Sequence, residues 1–200
     1  MNALSTRLAL IFIGASITTA TAAPTVHGEL RQWHKVTIDF EGPKTSESAT
    51  PNPFTDYRLD VTFTNGAEKF LVPGYYAADG QAGQSGADSG STWRVHFAPN
   101  KTGTWQYSAK FTTAKNAAMD NNGKSAGYFD GASGSFDIAP TDKGGRDFRG
   151  KGRLSYVGKH HLQFEGTKEF FLKAGVDAPE NLFAYADFDG NFKKDGVKDN

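Results

Sequence analysis

Apolar residues recur at every second position through most of this sequence. Val36, Ile38 and Phe40 alternate with Lys35, Thr37 and Asp39. Tyr57, Leu59, Val61 and Phe63 alternate with Arg58, Asp60, Thr62 and Thr64, and Asn65-Gly66 closes the run with a turn signal. Trp93, Val95 and Phe97 alternate with Arg94 and His96, and Trp105, Tyr107, Ala109 and Phe111 with Gln106, Ser108 and Lys110. Phe136 and Ile138 end the series before Pro140. Successive side chains of a strand point to opposite faces, so this pattern calls for antiparallel strands with one buried face. No amphipathic helix stands out between residues 29 and 140. Several short strands in about 110 residues suggest an Ig-like antiparallel β-sandwich, an all-β class. Gly103-Thr104-Trp105-Gln106-Tyr107 follows a corner and places an aromatic where Ig-like domains put a corner aromatic.

A fold of this kind needs a core, and the composition supplies one. The chain has 16 Phe, 7 Tyr and 3 Trp but no Cys. Aromatic packing must therefore replace an inter-sheet disulfide, and a cysteine-ligated zinc or iron–sulfur site is excluded. Lys and Arg (22) balance Asp and Glu (22), which argues against a nucleic-acid clamp, since phosphate binding needs basic excess.

The first residues read as an address. Arg7 is followed by the apolar run Leu8–Ile17 and the small-residue tail Thr18–Ala23, with Ala20-Thr21-Ala22 fitting a cleavage site. The run is too short to span a bilayer, which takes roughly 20 residues. A signal peptide over 1–22 implies a secreted or periplasmic protein, with no membrane association after cleavage.

Domain limits follow from the composition. The sandwich is expected over 28–140, interrupted by two small and polar stretches, Ala77–Thr92 and Ala114–Gly134, expected to be exposed loops that bury little. Thr141–Gly152, rich in Gly and charge, reads as a linker. Beyond it Leu154, Tyr156, Leu162 and Phe164 suggest a β-hairpin, and Phe170–Val176 a strand that is apolar without alternation, as in a sheet covered on both faces. Residues 153–200 thus look like the start of an incomplete α/β domain.

Five separated blocks carry a family resemblance: Trp33 with Ile38–Pro43, Asn52–Leu59, Val72–Tyr76, Trp93–Pro99 and Gly103–Trp105. In this order they resemble the N-terminal Ig-like domain of unknown function, the DUF family numbered five-zero-six-zero, over roughly Leu30 to Pro140. That family stands in front of glycoside-hydrolase-like TIM barrels in secreted bacterial proteins. Phe170–Gly175 is similar to the first barrel strand, and Asp177–Asn181 with Ala184–Gly190 to the loop after it. The resemblance implies the non-catalytic front module of a carbohydrate-active protein, with a polysaccharide or oligosaccharide as partner of the parent protein and the chain cut short after that strand. A stand-alone binding module or a spacer domain is the competing account.

Candidate site residues are few. Asp177 and Glu180 come after the barrel-like strand and either line a sugar site or cap a helix beginning at Pro179. Tyr75 and Tyr76 are adjacent, so one of the two faces outward beside the Gly-rich loop, as a sugar-stacking residue or as packing at an edge. Trp93 and Trp105 share the inward parity of their strands, and His34 and His96 the outward one. His160-His161, on a strand, cannot share one metal. Asp187–Asp195 does not fit a calcium loop, because with Gly190 at the sixth position Tyr185 and Gly196 fall where ligands are needed. No catalytic residue, metal or cofactor is indicated: nucleophile-elbow, phosphate-loop and dinucleotide motifs are all missing from the sequence.

Overall fold

The structure is a computed structural model that describes residues 22–120 and 122–172. The expected signal segment up to Thr21, and Asp177 and Glu180, lie outside the described residues. The strands are β1 (Thr25–His27), β2 (Val36–Ser46), β3 (Tyr57–Asn65), β4 (Glu68–Pro73), β5 (Tyr75–Tyr76), β6 (Ser89–Phe97), β7 (Gly103–Thr113), β8 (Lys124–Ser125), β9 (Ser133–Ile138), β10 (Leu154–Ser155), β11 (Leu162–Phe164) and β12 (Phe170–Phe171). Two single-turn helices, α1 (Ala82–Ser85) and α2 (Ala117–Asp120), sit in loops.

The first sheet has the order β1-β2-β6-β5 and the second β4-β3-β7, with β8 and β9 both pairing to β7. All strand pairs are antiparallel. The two sheets form the β-sandwich that the period of two demands. Val36, Ile38, Phe40, Trp93, Val95 and Phe97 face Leu59, Val61, Phe63, Trp105, Tyr107 and Phe111 in one buried cluster. The expected inward tryptophans are there: Trp93 and Trp105 are both buried. Trp105 Nε1 donates to the Lys101 carbonyl at 2.9 Å, so the corner before β7 is closed by the side chain two residues after Gly103.

The two polar stretches depart from expectation. Ala77 and Ala78 are buried and extend the β5–β6 pairing through Ala77 N–H to Thr92 and Thr92 N–H to Ala78, 2.8 and 2.9 Å. In the second stretch Phe129 turns back into the sandwich and stacks on Phe111 and Phe40, with ring centroids 4.3 and 4.7 Å away. Phe129 thus works as a plug for one end of the core, while the neighbouring Tyr128 is exposed. Gly42, in the irregular part of β2 between Glu41 and Thr45, makes this end possible. A Cβ there would stand 2.4 Å from the Trp93 ring and 3.1 Å from Phe129, so no larger residue fits without moving a buried indole.

The expected hairpin is there as β10 and β11, and the run Thr141–Gly152 before it is folded. A 3-10 turn at Phe148–Gly150 packs Phe148 on Phe164 and Phe171, and β10-β11-β12 form a small antiparallel sheet. The Phe170–Phe171 segment, expected as a barrel-type strand, pairs antiparallel with β11. Phe164 is buried under this sheet, whereas Tyr156, Leu162, Phe170 and Leu172 are exposed.

The plug has a measurable weight. Phe129→Ala should cost roughly 3–5 kcal/mol, the usual loss for emptying a buried Phe site, in a urea titration. Met119→Ala, in the same stretch but 81% exposed, should stay within about 0.5 kcal/mol of the parent. Equal effects of the two substitutions would mean that Phe129 is not part of the core.

Candidate functional site

Directly opposite residues of an antiparallel pair share a face, so the strand registers set out the outer surface of the first sheet. His27, Thr37 and His96 make one row, and Thr25, Asp39, Arg94 and Tyr75 the next. Arg94 reaches across to Asp39 with two bonds, Nε at 2.6 Å and Nη2 at 2.8 Å, and its Nη1 donates to the Gly80 carbonyl at 2.8 Å. The hydrogen bonds to Asp39 raise the Arg94 pKa further above its ordinary value. His96 lies between the Thr37 hydroxyl at Nδ1 and the Tyr75 phenol at Nε2, both 2.9 Å away. Partial burial, with Lys35 and Arg94 nearby, lowers the His96 pKa, so the ring is neutral at pH 7. Over this face lies an open cleft of about 560 Å3, lined beyond the strands by Asp79–Gln81 and by Ala23, with Ala22 of the expected signal segment before it.

The sequence candidates separate here. Tyr75 is 45% exposed at the β5 edge of this face. Tyr76, expected as a possible sugar-binding partner, is only 5% exposed. Its hydroxyl donates to the Thr45 carbonyl at 2.7 Å and its ring sits between Phe54 and Trp93. The alternation of the strand turns it inward, so its ring packs in the core. Trp33 lies against Gly152 and is half-buried. Asp39 and Arg94 do not stand out in the sequence as a pair. Their outward parity is visible, but facing each other is a matter of register between strands 55 residues apart.

Comparison with known proteins gives a match to a family model over part of the chain. Residues 29–112 match DUF5060, a domain of unknown function. That segment covers β2 to most of β7, and hence the Asp39–Arg94–His96–Tyr75 surface. Among solved structures, a candidate glycoside hydrolase from Bacteroides vulgatus ATCC 8482 is similar, with 25% identity over 70% of this chain and a TM-score of 0.46. The match spans 20% of that protein's length. No curated protein matches the sequence.

The first residues of the DUF5060 segment are clamped to the charged run that begins at Thr141. His34, expected to point outward from a strand, is instead buried in the turn before β2. The Leu30 and Trp33 backbones adopt positive φ there, and the ring is drawn in between Glu29 at Nδ1 and Thr141 Oγ1 at Nε2, each 3.0 Å away. Glu29, His34 and Asp142 offer ligand atoms within 4.8 Å of one another. The Lys143 ammonium already lies 3.4 Å from Glu29 and 3.1 Å from Asp142, and Arg149 3.1 Å from Glu29. A metal ion would have to displace that ammonium, so the group is an electrostatic clamp holding residues 141–152 to the sandwich.

The clamp is acid-sensitive. Partial desolvation alone would raise the Glu29 pKa, but Lys143, His34 and Arg149 outweigh it and hold it below the ordinary 4.5. A hydrogen bond from Lys143 lowers Asp142, and hydrogen bonds from Arg149 bring Asp147 down to about 2. Carboxylates with depressed values stabilise the docked state at neutral pH. That support fades as the pH falls from the ordinary carboxyl range toward about 2. Hydrogen exchange, corrected for intrinsic rates, should show the Gly150–Gly152 amides losing protection at pH 3 relative to pH 6, ahead of β7. Unchanged protection there would mean that these ion pairs do not hold the segment.

Proposed function

We propose that this chain is the non-catalytic N-terminal sandwich module of a secreted or periplasmic carbohydrate-active protein, and that it braces or extends the substrate groove of a following glycoside-hydrolase-like barrel. The observation that carries the reading is the fixed platform after the DUF5060 segment. Gly166 and Thr167 N–H groups on the Lys151 carbonyl, at 3.0 and 3.1 Å, tie the β10–β12 sheet to residues 141–152, which the His34 clamp in turn holds to the sandwich. The side of that sheet away from Phe148 nevertheless presents Phe170, 50% exposed, and Leu162 at the start of β11 and Leu172 just past β12 are 40% and 68% exposed. Apolar side chains held on a braced support suit a surface that a neighbouring domain covers. Asp177 and Glu180 would serve as sugar ligands at the rim of that groove, with the acid and nucleophile of hydrolysis supplied from beyond Asn200.

A β-sandwich by itself does not fix a role, so the test is on the protein itself. The secreted product should have a mass well above that of residues 23–200, and this 200-residue chain alone should release no reducing sugar from polysaccharide. A secreted mass equal to residues 23–200 would replace the reading by a stand-alone binding module or a spacer. Turnover by this chain alone would overturn the non-catalytic assignment.

A further inference from the structure

The outer face of the first sheet has the attributes of a ligand site, which a bracing role does not use. Sheet faces turned to water normally carry side chains that are mobile and independently solvated. Here five residues on three strands are locked together. Asp39 is held by two Arg94 bonds, Arg94 by Gly80, and His96 by Thr37 and Tyr75. The Arg94–Gly80 bond also fixes the Asp79–Gln81 wall, which Asp79 stiffens by accepting from Gln81 N–H and the Ser85 hydroxyl, both at 2.7 Å. The result is a preorganised cleft of about 560 Å3, within the range of roughly 300–1,000 Å3 common to small-ligand sites.

The lining selects the ligand class. Lys35 and Arg94 stand against Asp39, Glu41 and Asp79, so carboxylates outnumber cations. The guanidinium already spends three of its five donors on Asp39 and Gly80, and with Asp39 bonded to it and other carboxylates lining the cleft it is a poor seat for a phosphate or carboxylate. Neutral His96 adds no charge. What the cleft offers is carboxylate acceptors on Asp39 and Glu41 and the two-way hydroxyls of Thr25, Thr37 and Thr92. Vicinal sugar hydroxyls, each both donor and acceptor, match that set. Beside it stands Tyr75, half exposed and held by its own hydroxyl against His96. Its ring face is electron-rich and suits the weakly positive C–H face of a pyranose. The cleft is open rather than enclosed, which leaves a path for a chain.

We propose that this face binds a neutral polysaccharide chain, with Tyr75 stacking on one sugar unit and the Asp39–Arg94 pair orienting the next. The inference is independent of the bracing reading. A sandwich can bind sugar with no domain after it, and can brace a barrel without binding sugar.

The test is affinity electrophoresis of the purified chain in native gels containing xylan, laminarin, galactomannan or, as the anionic comparison, polygalacturonate. Retardation by at least one of the three neutral polymers is expected, with no retardation by polygalacturonate. Tyr75→Ala should weaken binding about tenfold, in line with an aromatic contact of roughly 1.4 kcal/mol. Tyr75→Phe keeps the ring and should retain most of it. Leu71→Ala, on an exposed position of the second sheet, should leave it unchanged. Thermal melting within a few degrees of the parent confirms that each variant is folded. No retardation by any neutral polymer, retardation by polygalacturonate alone, or full binding by Tyr75→Ala would each overturn the proposal.

Discussion

Phe63 and Phe97 lie face to face across the gap between the sheets, with ring centroids 4.2 Å apart and planes within 10°. Contacts of this kind take the place of a covalent tie in a chain without cysteine. A disulfide would fix one point between two sheets. A row of rings fixes a distance along their whole length, because each ring needs its partner at one thickness. Trp93, Phe111, Phe129 and Phe40 continue the row to the far end. The close approach of Gly42 to the Trp93 indole belongs to the same requirement, since the irregular part of β2 must yield space to a ring that cannot shrink.

The rigid interior has a consequence on the outside. Phe40 and Trp93 pair in register and anchor β2 to β6, so the residues between them on the opposite face have no freedom of register either. Asp39 therefore meets Arg94, and Thr37 meets His96, for the same reason that Ile38 meets Val95. A slip by one residue would place the charged pair in the core and the apolar one in water. The polar cleft is thus as firmly specified as the hydrophobic core beneath it.

Parity made β2, β3, β6, β7 and β9 and both buried tryptophans legible in the sequence, because the period of two survives wherever one face is dry. It failed where the chain leaves regular structure. His34 was expected to point outward although it has the same parity as Val36, Ile38 and Phe40; it precedes the strand, and two positive-φ residues turn it toward Thr141, 107 positions away. Phe129 sits in a run of small polar residues with no period to signal its burial. The run Thr141–Gly152 has the composition of a linker. Its charges nevertheless meet partners on the sandwich, Glu29 above all, and no local pattern announces a pairing at that separation. For the cleft, the outward parity of Asp39 and Arg94 was visible, but which of Tyr75 and Tyr76 faces outward was not. Nor was the adjacency of Asp39, Arg94 and Tyr75, since it depends on which strands become neighbours.

The chain enters and leaves the sandwich at one point. Ala139, just past β9, accepts from Gln32 N–H and donates to the Leu30 carbonyl, both at 2.9 Å, in a parallel bridge beside the turn that leads into β2. The β2–β9 part of the domain therefore hangs from the polypeptide as a side loop closed by two hydrogen bonds and the His34 clamp. A pull applied between Leu30 and the segment after Ala139 is borne at that closure and bypasses the β2–β6 and β3–β7 ladders, whereas a pull from before Thr25 first loads the β1–β2 ladder. The sandwich is mechanically a pendant, shielded from load while its neck holds.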